Sequence, residues 1–173
     1  MKKGFVILNY NDYQSISKLL DKIDMNVRDA IFCVVDNCST DNTYQVVEKY
    51  TSRFSNIKYS RNETNIGGEL NFCRVIKMGN GKYIKLCNDT VAFNDGFLQF
   101  MIDKIIETQE TNMNIFFYRD KKNKAVICSN VDEFTRAVSF SSTWIGNFGV
   151  WKKNIEELEP LEQYLSTQLL QVI

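Results

Sequence analysis

Asp36 and Asp89 each follow an apolar stretch and precede turn-forming residues, which makes them the carboxylates best placed for chemistry. Asp36 closes Ile31-Phe32-Cys33-Val34-Val35 and opens Asn37-Cys38-Ser39-Thr40-Asp41. Asp89 ends Cys87-Asn88-Asp89, behind Lys82-Tyr83-Ile84-Lys85-Leu86. A third polar cluster, Asn9-Tyr10-Asn11, follows Phe5-Val6-Ile7-Leu8. Groups of this kind bind hydroxyls, amide N–H groups and phosphate-bound cations. The chain has no histidine, which excludes Ser-His-Asp and Cys-His catalysis, His-ligated zinc and a His general base. Its five cysteines, Cys33, Cys38, Cys73, Cys87 and Cys128, include no C-x-x-C pair. That spacing argues against a zinc or disulfide framework and for a reducing compartment. Asp12, Asp41 and Asp95 read as helix caps.

The elements that must position these groups are legible from periodicity. Phe5–Leu8, Ile31–Val35, Ile57–Ser60 and Lys82–Leu86 read as strands. Between them, Ile16, Leu19, Leu20 and Ile23 recur at helical spacing, as do Tyr44, Val47 and Tyr50, and then Leu70, Cys73 and Ile76. A further helix carries Phe97, Phe100, Met101, Ile105 and Ile106. This alternation predicts an α/β domain with a mostly parallel sheet flanked by helices. In such a sheet ligands bind beyond the carboxyl ends of the strands, so the three polar clusters are expected on one edge. After residue 113 the pattern changes. Ile115–Tyr118 and Ala125–Cys128 flank a polar turn and predict a small antiparallel hairpin. Residues 139–151 read as irregular and aromatic, and 154–171 as helical.

The 173 residues suffice for one domain with a real core. Lys plus Arg equals Asp plus Glu, at 21 each, so there is no basic field for grasping nucleic acid. No apolar run approaches a membrane span, and the four apolar residues after Met1-Lys2-Lys3 are too few for a signal sequence. A cytoplasmic protein is the expectation.

Val34-Val35-Asp36-Asn37-Cys38-Ser39-Thr40-Asp41-Asn42-Thr43 resembles the V-V-D-[DN]-x-S-x-D-x-T signature of family 2 glycosyltransferases. Val6-Ile7-Leu8-Asn9-Tyr10-Asn11 looks like their opening strand. Asn62-Glu63-Thr64-Asn65-Ile66-Gly67 resembles their N-x-x-N-x-G loop, and Asn71 falls where many members carry Asn. Gly81-Lys82-Tyr83-Ile84 leading to Cys87-Asn88-Asp89 looks like their strand into the D-x-D element. The four stand in the right order from residue 4 to about 105, closest in spacing to abequosyltransferase-like and rhamnosyltransferase-like enzymes of surface polysaccharide synthesis.

The resemblance implies a GT-A fold over residues 1–173, with a nucleotide-sugar-binding half, 1–110, and an acceptor-side half, 111–173. It implies a UDP- or dTDP-type nucleotide-diphosphate-sugar donor and inverting transfer to a glycan or lipid-linked acceptor. It also implies work in the cytoplasm, with peripheral association at the inner membrane face. By position, Asn9 and Tyr10 would lie along the nucleoside, and Asp36, beside Asn37, would accept a hydrogen bond from the base. Asn65, Gly67 and Asn71 would line the nucleotide pocket. Cys87, Asn88 and Asp89 would occupy the D-x-D position, with Asp89 holding Mg2+ or Mn2+. Only one carboxylate remains there, which Mg2+ tolerates because phosphates and water fill its shell. Cys87 is too soft a ligand for Mg2+ and reads as a buried or donor-facing small side chain.

The acceptor hydroxyl needs a base, usually a carboxylate. Of Glu156, Glu157, Glu159 and Glu162, the last is the candidate, because Pro160 can mark a helix start. Ser142-Thr143-Trp144-Ile145-Gly146 is a candidate acceptor loop in which Trp144 either stacks on a sugar or joins the core. Leu165, Leu169, Leu170 and Val172 are still periodic at Ile173. The chain therefore reads as shortened, truncated or unusually small. A truncated or degenerate domain that binds a nucleotide sugar without turnover is the competing expectation. A nucleotidyltransferase ranks last, since Asn9-Tyr10-Asn11-Asp12 has neither glycine nor cation.

Overall fold

A computed structural model describes residues 3–23, 30–90, 96–111, 115–117, 126–139, 144–158 and 160–167. Its first half alternates strand and helix: β1 (Lys3–Asn9), α1 (Tyr13–Lys22), β2 (Ala30–Asp36), α2 (Thr43–Thr51), β3 (Ile57–Arg61), α3 (Gly68–Met78), β4 (Tyr83–Asn88) and α4 (Phe97–Glu107). Then follow β5 (Ile115–Phe116), α5 (Val131–Val138), a 3-10 turn at Ile145–Asn147, β6 (Phe148–Trp151), α6 (Lys152–Glu156) and a 3-10 segment, Leu161–Thr167. The sheet order is β3-β2-β1-β4-β6-β5. The first four strands are parallel, while β6 is antiparallel to both β4 and β5.

Successive strand residues face opposite sides, and two cores result. Phe5, Ile7, Phe32, Val34 and Ile57 pack against Ile16, Leu19, Leu20, Val47, Leu98, Met101 and Ile102. On the other face Val6, Val35, Ile84 and Leu86 pack against Phe72, Cys73, Val75 and Ile76 of α3. Each fully buried aliphatic side chain contributes roughly 1.5–3 kcal/mol. Burial on both faces explains why β1, β2 and β4 read as continuous apolar runs. Because β4 lies on the other side of β1 from β2, the order reverses at β1, the place where sheets of this kind hold ligands beyond the carboxyl ends of their strands.

Four later segments differ from expectation. The partner of β5 is β6, whereas Val126–Cys128 carries no strand; Ala125 and Tyr118 lie outside the described residues. Phe148–Trp151 is a strand inside the stretch expected to be irregular. Its signal is masked by Gly149, which is needed because a Cβ there would overlap Tyr83. The helix α5 was not expected, although Asn130 and Glu133 spell out a helix start: Asn130 Oδ1 accepts from Glu133 N at 2.9 Å, and Glu133 Oε2 accepts from Ser129 N at 2.7 Å. Over 154–171 the helix gives way to α6 and the 3-10 segment on either side of Pro160, which has no N–H to donate and disfavours helical backbone before it. Residues 168–171 lie outside the described ones.

Candidate functional site

Asn9 is the hub of the carboxyl edge. The register sets it opposite Asp36 on β2, and Leu8 opposite Asn88 on β4. It is 2% exposed. Its amide donates to Asp89 Oδ2 at 2.9 Å and to the Asp12 carbonyl at 3.2 Å. Its Oδ1 faces the hydroxyls of Thr43 at 3.1 Å and Ser39 at 3.5 Å. Those hydroxyl protons go to nearer carboxylates, Asp41 at 2.6 Å and Asp36 at 2.5 Å. Asp36 and Asp89 therefore lie on one rim, on either side of Asn9, which is paired in register with Asp36 and hydrogen-bonded to Asp89.

Asp36 is fully buried, and protein groups surround both its oxygens. Oδ1 accepts from Ser39 N at 2.8 Å and from the Ser39 hydroxyl. Oδ2 accepts from Tyr59 OH at 2.5 Å and lies 3.5 Å from Arg61 Nε. Arg61 also donates to the Ser39 carbonyl at 2.8 Å. Burial, then the hydrogen bond and charge of Asp36, hold the Tyr59 phenol well above its ordinary range. The turn 36–41 is thus fixed from below, and Cys38 adopts φ 67 within it. Ser39, Asp41, Tyr44, Gln45, Tyr59 and Arg61 line a depression of about 440 Å3 on the β3 side of this turn; Asn9 and Asp89 are not part of it.

The first turn is tied to the second. Asn11, at φ 50, accepts from Thr40 N at 2.7 Å, and its own N–H donates to Ser39 Oγ at 2.9 Å. Asp12 caps α1 by accepting from Ser15 N at 3.0 Å. Asp41 accepts from Tyr13 N and Thr43 N, each at 3.0 Å. The helix-start role expected of Asp12 and Asp41 is what their contacts show; Asp95 lies outside the described residues. Tyr10 is left 48% exposed on this rim.

A side-chain amide cluster forms the neighbouring wall. Asn37 donates to Asn65 Oδ1 at 2.9 Å and to the Gly67 carbonyl at 3.3 Å. It accepts from Asn62 at 2.7 Å and from Ile66 N at 3.1 Å. Asn62 also donates to Asn71 Oδ1 at 3.0 Å. Gly67, at φ 81, is the residue before α3, a backbone state that favours glycine. The Asn62 Oδ1 is the one buried side-chain polar atom among the described residues without a hydrogen-bond partner.

Asp89 is half-buried. Burial and the nearby charge of Asp12 raise its pKa above the ordinary carboxylate value, against the lowering effect of the Asn9 hydrogen bond. A cation would relieve that excess negative charge. No group of three or more metal-ligating side chains occurs among the described residues, so a cation here would take Asp89 plus ligand oxygens, a set that suits Mg2+ or Mn2+. Cys87 is 1% exposed in the core, where burial raises its thiol pKa. Asn88 is half-buried at the end of β4.

Glu162 is not brought to this edge. Helix α3 runs from the carboxyl edge back to the start of β4, and Glu162 is bound to its last turn, with Lys77 Nζ at 2.7 and 2.9 Å from its two oxygens. The Lys77 hydrogen bond lowers its pKa, the reverse of what a base needs. The Pro160 signal led to the 3-10 segment, not to the acceptor side. Glu156 and Glu157 are exposed around the end of α6, and Glu159 lies outside the described residues. Trp144 is 62% exposed, which rules out its core reading; Ser142 and Thr143 are outside the described residues. Ser39, Thr43, Tyr59 and Arg61 are the contributors that sequence reasoning passed over. For Ser39 and Thr43 the signal is their place in the 34–43 signature; for Tyr59 and Arg61 it is strand alternation, since Ile57, Tyr59 and Arg61 share one face and Arg61 stands opposite Asp36.

Comparison with known proteins bears on this arrangement. The profile of Glycosyl transferase family 2 matches residues 5–155. Poly(ribitol-phosphate) beta-N-acetylglucosaminyltransferase TarS of Staphylococcus aureus is 41% identical over 71 residues, 39% of this chain and 12% of TarS. Abequosyltransferase RfbV of Salmonella typhimurium is 27% identical over 129 residues, 68% of this chain and 39% of RfbV. The crystal structure of S. aureus TarS 1-349 in complex with UDP-GlcNAc superposes with a TM-score of 0.68 at 22% identity, covering 92% of this chain and 48% of that one. The last likeness speaks to the fold, which is of the GT-A type. The chain matches less than half the length of each of these proteins.

Proposed function

The chain belongs to glycosyl transferase family 2, and from that premise we propose that it moves a sugar from a nucleotide-diphosphate donor of the UDP or dTDP type to a glycan or lipid-linked acceptor, with inversion and with help from Mg2+ or Mn2+ in the cytoplasm. The observation that carries this reading is the meeting of Asp36, Asn9 and Asp89 on one rim. A diphosphate needs such a rim, with a cation-binding carboxylate at one end and hydrogen-bonding groups at the other. Asn37, Asn65, Gly67 and Asn71 form the wall for the nucleoside, and exposed Tyr10 offers a face for its ring. Asp36 works from beneath, fixing the turn that carries Asn37 and Ser39. Asp89, aimed by Asn9, would hold the cation. The cation would stabilise the leaving diphosphate as a Lewis acid.

Thermal unfolding with UDP and dTDP, with and without Mn2+, tests the reading. A nucleotide at about a hundred times its Kd adds ~2.7 kcal/mol to the folded state. A rise that needs Mn2+ in the parent, and whose Mn2+-dependent part is lost in Asp89→Ala, is expected. Equal rises with and without metal in the parent contradict the role of Asp89, and no rise with either nucleotide contradicts the donor. The single carboxylate of Cys87-Asn88-Asp89 favours a second reading, binding without turnover. Donor hydrolysis separates the two: release of UDP from UDP-GlcNAc, or of dTDP from a dTDP-sugar, supports turnover.

A further inference from the structure

Lys85 is a buried lysine with no carboxylate beside it among the described residues, and burial lowers its pKa. It is 2% exposed on β4, and none of the ion pairs among the described residues includes it. Its ammonium donates to the Leu86 carbonyl at 2.8 Å and to the Gly146 carbonyl, and lies 5.9 Å from the centre of the Phe117 ring. Burying an ammonium is costly unless its hydrogen bonds are met. Here those bonds fasten residues 144–147 to β4. Asn147 N donates to the Trp144 carbonyl at 3.0 Å, and Phe117 N to the Asn147 carbonyl at 2.8 Å, completing the anchorage.

The fastened segment points somewhere useful. β6 is antiparallel to β4, with Gly149 opposite Lys85. The residues before β6 therefore lie toward the carboxyl end of β4, where Asp89 stands. Trp144 begins that segment and projects 62% exposed. It takes part in none of the ring pairs among the described residues. A large indole held in water on an anchored backbone is suited to the apolar face of a sugar ring, because it presents area at little entropic cost. Along the edge, the amide cluster occupies the β2–β3 side, Asn9 and Asp89 the middle, and Trp144 the β6 side.

We infer that Trp144 is a pyranose-binding platform and that Lys85 is the positioning residue that seats it. This rests on the donor reading above: with the diphosphate at Asp89, the sugar it carries extends toward β6. A donor sugar and an acceptor glycan present the same chemistry to an indole.

Iodide quenching of tryptophan emission reads Trp144 selectively, because Trp151, the other tryptophan, is 4% exposed. One arm compares UDP-GlcNAc with UDP, both with Mg2+. The other adds a soluble N-acetylglucosamine trimer to UDP-saturated protein. Protection from iodide in the first arm assigns the platform to the donor sugar, and in the second to the acceptor. Trp144→Ala is expected to weaken binding of the protecting ligand about tenfold while the melting shift with UDP stays unchanged. Lys85→Met is expected to abolish the protection, again with the UDP shift kept; if Lys85→Met fails to fold, Trp144→Ala decides. A UDP shift without protection in either arm overturns the platform and leaves the donor reading standing. No UDP shift at all sinks both.

Discussion

Asn9 on β1 donates its side-chain N–H to Asp89 Oδ2 across 2.9 Å, so one buried amide sets the direction of the half-buried carboxylate after β4. Asp89 stays there at some cost: burial and the neighbouring charge of Asp12 both oppose its ionisation. Asp89→Asn keeps an oxygen for Asn9 and removes the charge. It is expected to raise the melting temperature, by up to about 1 kcal/mol of stability, as often happens when a functional group is neutralised. The same variant should lose the Mn2+-dependent part of any UDP shift. Calorimetry with and without Mn2+ reads both; a lower melting temperature would show that the charge is stabilising.

Asp36 supports the opposite end of the rim through Ser39, Tyr59 and Arg61. Tyr59→Phe removes one hydrogen bond to a charged acceptor and should cost about 1–2 kcal/mol. Asp36→Ala leaves the Tyr59 hydroxyl and Ser39 N–H without their acceptor and should cost about 3 kcal/mol or more. Urea midpoints give both values. If Asp36→Ala costs no more than Tyr59→Phe, the carboxylate is not the keystone of this turn.

The first half of the molecule was legible because its strands are buried on both faces and its helices on one, which leaves continuous apolar runs at Phe5–Ile7 and Phe32–Val35 and a helical period over Ile16–Ile23. Turn chemistry then placed Asn9, Asp36 and Asp89. Side-chain direction was harder. That Asp36 is surrounded by protein groups follows from Tyr59 and Arg61, which look like ordinary residues of a weak strand. Cys87 reads as part of a motif, yet strand alternation turns it into the core. The second half was less legible because β6 contains Gly149 and β5 has two residues; neither gives a period.

Glu162 was chosen from Pro160 alone, and the structure binds it to Lys77 at the end of α3 far along the chain from the crevice. Both side chains are well exposed, so solvent screens the pair. Glu162→Gln is expected to leave donor hydrolysis and the UDP shift unchanged. A hundredfold loss of turnover with unchanged UDP binding would restore it as the base.

Gly149 lets β6 approach β4 against the Tyr83 ring: an added Cβ would overlap the Tyr83 hydroxyl and stand 2.7 Å from two ring carbons. Gly149→Ala should therefore cost about 1–3 kcal/mol as an overpacked site. Tyr83→Phe removes the nearest atom of the clash, so the double variant Gly149→Ala/Tyr83→Phe should recover part of that loss. Additive losses in the denaturation midpoints would mean that the two sites do not meet.

Asp41 gives the fold an acid limit. Burial pushes its pKa up, but the Thr43 hydroxyl and the N–H groups of Tyr13 and Thr43 outweigh it and bring the value below 3.8. A carboxylate whose folded value is depressed adds stability that is complete above its unfolded pKa and is lost as pH falls through the folded value. The loss therefore falls below about pH 4, not near neutrality. Asp41→Asn keeps an acceptor oxygen but does not titrate. Its melting temperature should be lower than the parent's at neutral pH, and the gap should narrow at about pH 3. Since Asp41 joins the starts of α1 and α2 through Tyr13 and Thr43, the loss should appear as earlier hydrogen exchange in both helices. A gap that is constant over the whole acid range would place the effect in packing and not in the charge.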